Sequence, residues 1–290
     1  MTADASVPSS KLLNHTLKPK QGRIRALLAG QHGPGEPLFE AAAQGSPDME
    51  YWYEEFDATA ITASTGPFTA GAKHTLTYAE SNALATDPAK LAPTAADSSA
   101  MSLATSANAY RQSIIGPAMY TADKYPFFEV RIKVSQITDY AMVIGFANAI
   151  AGSAGAIVSD IDTPAVATVA DGAFYAIDIS QTLKTAALVA VGTSTAVSKV
   201  NVDPTTAPFG IPTVDTYFIV RLVLAGTGVQ GGASTAYLFV NDRLVATNVG
   251  GPDSEKLLAP VFWQASNTGT ALTSTHDYWR AGQFKAGAPL

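Results

Sequence analysis

The chain has 290 residues, a formal net charge of -6 and a pI near 5.2, which sets it against general polyanion binding, where a basic domain is the rule. Hydrophobic residues make up 47% and charged residues 14%, enough to build a sizeable core and to exclude a disordered chain. There is no cysteine, so disulfides, thiolate catalysis and cysteine-ligated zinc are excluded.

The start, MTADASVPSSKLLNH, has no apolar run behind a positive end, and no stretch nears the roughly 18 apolar residues that span a bilayer. The expectation is a soluble protein with no membrane partner. Residues 1–50 read as an arm. Lys11, Lys18, Lys20, Arg23 and Arg25 make it locally basic, and RIRALLAG places Ile24, Leu27 and Leu28 in one helical stripe that stops at Gly30. After the turn-rich GQHGPGEP, a second short helix is expected around PLFEAAAQG, which contains Leu38 and Phe39. From Glu36 to Asp57 the sign of charge reverses: Glu36, Glu40, Asp48, Glu50, Glu54, Glu55 and Asp57 occur with no basic residue. Opposite charges along one extended segment fit docking on a mixed protein surface better than tracking phosphates, so no direct nucleic-acid contact is expected. The apolar residues of the arm favour a segment that orders against a partner.

From residue 51 to 290 the pattern is β-sheet. In FFEVRIKVSQ, Val130, Ile132 and Val134 alternate with Glu129, Arg131, Lys133 and Ser135, predicting one dry face and one wet face. YAMVIGFANA, GAFYAIDI and TAALVAVG are continuously apolar, as expected of central strands. TYFIVRLVLAG separates Phe218, Val220, Leu222 and Leu224 from Tyr217, Ile219, Arg221 and Val223. TAYLFVNDRLVATN predicts a hairpin turning at Asn241 and Asp242. APVFWQASNTGTALTSTHDYWRAGQF reads as a closing antiparallel pair, with its turn around Asn267 to Gly269. Strands without intervening helical patterns predict an antiparallel sandwich.

The order of these strands resembles the concanavalin A-like, laminin G-like jelly-roll sandwich over residues 51–290. The resemblance is one of pattern and brings no catalytic motif. One departure is the Asn-Asp-Arg turn, where relatives often carry Gly, a difference that fits a turn displaced by one residue. The arm, the missing signal and cysteines, and the Ala/Thr/Gly-rich loops also resemble tailed-phage virion proteins that decorate or cement capsids. That resemblance implies a non-enzymatic structural protein on the capsid surface of the virion, made in the host cytoplasm, with the major capsid protein and neighbouring copies as partners in a dimer or trimer. Lys11, Lys18, Lys20, Arg23, Ile24, Arg25, Leu27, Leu28, Leu38 and Phe39 would bind the partner. The alternative is a carbohydrate-binding module on a phage fibre or bacterial surface.

Site chemistry gives little support to catalysis. Glu54 and Glu55 in EYWYEEF are adjacent, so they point to opposite faces of a strand and cannot flank a glycosidic bond. Asp160, Asp162 and Asp171 could begin a calcium site, but the ligand count is short and turn chemistry explains them. His15, His32, His74 and His276 lack metal-ligand spacing, so no cofactor is expected. THDYWRAG would set His276 and Asp277 beside a serine only in a framework that no motif supplies; Tyr278 and Trp279 read as strand packing. For a sugar site, Trp52, Trp263 and Trp279 are the rings to watch, with Asn241, Asp242 and Asn267 as loop polars.

Overall fold

A computed structural model describes residues 49–54, 76–80, 91–93, 101–105, 110–115, 118–136, 140–148, 158–160, 165–166, 169–178, 185–192, 195–202, 213–266 and 272–284. The arm residues Lys11 to Phe39 and the two helices expected there lie outside the described residues, as do His15, His32, His74, Asp162 and Asn267.

In chain order the strands are β1 (Met49–Glu54), β2 (Leu76–Glu80), β3 (Leu91–Pro93), β4 (Met101–Thr105), β5 (Tyr110–Ile115), β6 (Phe127–Val134), β7 (Tyr140–Ala147), β8 (Val158–Asp160) and β9 (Ala165–Val166). They continue as β10 (Gly172–Asp178), β11 (Thr185–Gly192), β12 (Thr195–Val202), β13 (Phe218–Ala225), β14 (Thr235–Val240), β15 (Arg243–Asn248), β16 (Ala259–Ser266) and β17 (Leu272–Phe284). One short 3-10 helix, Ala122–Lys124, precedes β6. Among the described residues, a first sheet runs β15-β14-β13-β6-β17-β4-β3, with β1 pairing β17, and a second runs β12-β11-β10-β7-β16-β5-β2. Every pairing is antiparallel. The chain passes repeatedly between the sheets, giving the all-β jelly-roll sandwich expected from the strand pattern.

Alternation explains the layering. Val130, Ile132 and Val134 of β6, Val220, Leu222 and Leu224 of β13, and Leu238 and Val240 of β14 point inward. Across the sandwich they meet Met142, Ile144 and Phe146 of β7 and Leu188 of β11. The central strand β7 is buried along its whole length. Its other face, Ala141, Val143 and Ala147, joins a second cluster with Phe174, Val189, Val261 and Trp263 on the outside of the second sheet. Two buried faces are why YAMVIGFA reads as a continuous apolar run.

Two expectations change. The last two strands both form, but they do not pair: β16 lies between β7 and β5, whereas β17 lies between β6 and β4. Their apolar faces meet across the core, with Phe262 5.7 Å from Trp279 and 4.7 Å from His276, ring centre to ring centre. The hairpin turn is not displaced. Val240 pairs Arg243 directly, and Asn241 and Asp242 take φ values of 48° and 64°, the two-residue turn whose twist matches flanking strands.

At one side of the sandwich the edge strands β12 and β15 are joined by Asn248. Its Oδ1 accepts from Ser198 Oγ (2.9 Å) and from the Gly250 amide (2.9 Å), while Nδ2 donates to the Leu188 carbonyl (3.1 Å). An edge that would expose ladder groups is thereby tied to the opposite sheet.

Candidate functional site

The outer face of the first sheet carries a charged cluster on three neighbouring strands. Odd-numbered residues of β6 point outward, so Glu129, Arg131 and Lys133 share a face with Ile219, Arg221 and Val223 of β13. On β17 a bulge between His276 and Tyr278 changes the parity, turning Tyr278 and Arg280 outward while His276 and Trp279 both face the core. Arg221, Glu129 and Arg280 then stand directly opposite one another across β13, β6 and β17.

Glu129 is fully buried at the centre of that row, correcting the expectation of a wet face. Its Oε1 lies 2.7 Å from Arg280 Nη2 and accepts from the Tyr278 hydroxyl at 2.7 Å, and its Oε2 lies 3.3 Å from Arg221 Nε. Arg221 is 2% exposed, stacks over Phe239 at 5.2 Å and pairs with Asp242 of the hairpin turn. Asp277, the bulge residue, pairs with Arg131. The Arg131 guanidinium and the Lys133 ammonium lie 4.4 and 4.9 Å from the centre of the Tyr217 ring. Burial, then the neighbouring Glu129 carboxylate, raises the Tyr278 hydroxyl well above the usual tyrosine range.

Chemically this is a fastener. A carboxylate between two guanidiniums is held as an ion-pair partner: Oε1 is taken by Arg280 and Tyr278, while Oε2 has the ion-pair approach of Arg221 Nε and no hydrogen bond of its own. Asp242 and Asp277 are each taken by an arginine of their own. The sequence reading missed this cluster. One signal was present: Arg221 is the single charge of the apolar strand FIVRLVLA, where a buried charge must find a partner.

The core holds a second polar chain. The Trp279 indole donates from Nε1 to His276 Nδ1 (2.9 Å), leaving the ring proton on Nε2 to donate to Ser274 Oγ (2.8 Å); the Ser274 hydroxyl donates to Gln264 Oε1 (2.6 Å). A serine does lie beside His276, but the imidazole donates its hydrogen bond to the serine oxygen, so it is not placed to accept the hydroxyl proton as a base would. All four side chains are buried, and burial lowers the His276 pKa to about 3. Asp277 faces the other side of the strand, on Arg131.

Trp263, Trp279, Asn241 and Asp171 fall into structural roles. Trp279 is fully buried and Trp263 is 4% exposed, so neither ring presents a sugar platform. Trp52 pairs in register with Ala281 in β1. Asn241 accepts the Ile219 amide proton on Oδ1 at 2.9 Å, pinning the hairpin tip to β13. Asp171 accepts from the Asp253 amide at 3.1 Å, a loop clasp. Among the described residues no group of three or more His, Asp or Glu could hold a metal ion. Glu50 and Glu54 lie in β1 at either end of the aromatic run, and Glu55 lies outside the described residues.

The chain matches no protein-family model and no curated protein. Solved structures similar to it include a protein of unknown function from Shewanella oneidensis MR-1, 13% identical over 100% of this chain and 99% of that one, with a TM-score of 0.48. The catalytic domain of an endo-1,3-beta-glucanase (laminarinase) from Thermotoga petrophila RKU-1 is 11% identical over 83% and 100%, with a TM-score of 0.49. The potassium-bound carbohydrate recognition domain of Emp46p is 8% identical over 71% and 87%, with a TM-score of 0.46.

Proposed function

We propose that the chain is a non-enzymatic structural protein, a capsid decoration component whose sandwich is a rigid body and whose basic arm anchors it to a shell. The observation that carries the non-enzymatic part is the locking of reactive side chains: Glu129 sits between two arginines and His276 donates into a closed core chain. Trp263 and Trp279, two of the rings that could have stacked on a sugar, serve the core instead. The anchoring part rests on the sequence, where Lys11 to Arg25 supply charge and Ile24, Leu27 and Leu28 supply an apolar stripe. Removing residues 1–40, which carry Leu38 and Phe39 as well, is expected to leave a folded sandwich that no longer sediments with particles. Undiminished association of that truncation would overturn the anchoring.

A second reading, glycan recognition, is favoured by one feature, the half-buried Tyr217 ring beside Arg131 and Lys133. A glycan array separates the two: reproducible binding that is lost in Tyr217→Ala selects the second reading, and no binding leaves the structural one.

A further inference from the structure

On the outer face of the first sheet, burial is complete at the centre and stops at one end. Val223 and Phe239 are 1% exposed and Arg221 2%, whereas Tyr125, Ala225, Thr235 and Tyr237 are all half-buried. The register explains what lies there. Val220, Leu222 and Leu224 face the core, which leaves Arg221, Val223 and Ala225 outward on β13; Val223 pairs Tyr237 and Ala225 pairs Thr235 on β14. On the other side Val223 pairs Phe127, and the Leu224 amide donates to the Pro126 carbonyl (2.9 Å), which carries the pairing further and brings Tyr125 beside Ala225. The smallest outward side chain of β13 thus stands between two tyrosines.

Tyr125 is fixed there by its surroundings. Its φ of 51° lies in the left-handed region that aromatic residues avoid, held as the cap of the 3-10 helix by a bond from its amide to the Ala122 carbonyl (3.0 Å). Phe284 meets its ring edge-on at 6.3 Å. Burial, then Asp123 and Tyr237, raise the Tyr125 hydroxyl above the usual tyrosine range, so the two phenols lie within electrostatic reach of each other and Tyr125 stays a protonated donor.

We propose that this end of the sheet binds a neutral glycan, with one hexose ring seated over Ala225 between the Tyr125 and Tyr237 rings. The apolar faces of the sugar would stack on the aromatic walls, and its hydroxyls would bond to the two phenols and to Thr235 at the rim. Ala225 leaves the space that a larger side chain would fill. The charge acting on the Tyr125 hydroxyl is the Asp123 carboxylate, which an acidic sugar would meet as a like charge. The proposal rests on the reading of the chain as a glycan binder but uses another place: Tyr217, with its two cations, lies eight residues before Ala225, about 27 Å along an extended strand.

Calorimetric titration of the full chain with maltohexaose, cellohexaose and mannohexaose, and with hexagalacturonate as the acidic probe, tests it. At least one neutral hexaose is expected to bind, and Tyr237→Ala and Ala225→Leu are each expected to weaken it about tenfold or more at an unchanged urea midpoint. Tyr237→Phe keeps the ring and should keep most of the affinity; Tyr217→Ala should have no effect. Binding that Tyr217→Ala abolishes and Ala225→Leu leaves intact would overturn this site while glycan recognition stands. A preference for hexagalacturonate that Ala225→Leu abolishes would overturn the neutral assignment. No binding of any hexaose would overturn the site as well, and the glycan array then decides separately on the broader reading.

Discussion

Burial holds the His276 imidazole neutral, with its pKa near 3 in the folded chain against about 6.5 when unfolded. The unfolded chain therefore takes up a proton that the folded chain refuses. The stability this contributes is fully present above about pH 6.5 and drains away as pH falls toward 3, at about 1.4 kcal/mol per unit. Between pH 6.5 and 5, a window above most carboxylate titrations, the loss should be about 2 kcal/mol. Urea midpoints measured across that window are expected to fall in the wild type and to stay nearly flat in His276→Gln. Equal slopes would show that the imidazole is not the titrating group. This residue also marks a limit of sequence reading. The stretch around THDYWRAG brings His, Asp and a nearby Ser together in sequence, yet alternation turns His276 inward and Asp277 outward, and the bulge at Asp277 then keeps Tyr278 outward and returns Trp279 to the core beside His276. A one-residue change of register is invisible to residue spacing.

At the scale of elements, periodicity was enough to find β6, β7, β10, β11 and β13 to β17, because period-2 alternation and continuous apolar runs reflect burial directly. It did not find partners. Alternation tells which side chains share a face and says nothing of which strand lies beside them, so β16 and β17 looked like a hairpin although they belong to different sheets. Nor does it say whether the second face is wet, which is why Glu129 was misplaced. The β14–β15 hairpin and its turn residues were legible, since Asn and Asp are among the few residues that accept a left-handed backbone, but the undisplaced turn and the register shift between Leu238 and Phe239 were not. Asn241→Ala should cost about 1–2 kcal/mol, from the positive φ and from the lost acceptor for the Ile219 amide. A denaturation midpoint unchanged from wild type would show that the turn tolerates an ordinary residue.

For the molecule as a whole, closure of the sandwich depends on contacts between sheets that lie far apart in sequence. Asn248 is the clearest, since it touches both β11 and β12 from β15. Asn248→Ala removes three hydrogen bonds, at an expected cost of about 2–3 kcal/mol. Amide exchange should quicken in β11, β12 and β15 and remain slow in β16 and β17, which the core aromatics hold together. Uniform acceleration across both sheets would mean that the edge has no local role.

The sequence by itself determined an all-β chain with no cysteine chemistry, the positions of most strands and the turn that joins β14 to β15, because these follow from local alternation and backbone preference. Only the tertiary structure decided that β16 and β17 face each other across the core, that Glu129 is clasped by arginines from two neighbouring strands, and that His276 serves packing. Those outcomes depend on which strands become neighbours, and that choice is made by the summed burial of two whole sheets, a quantity no short stretch of sequence contains.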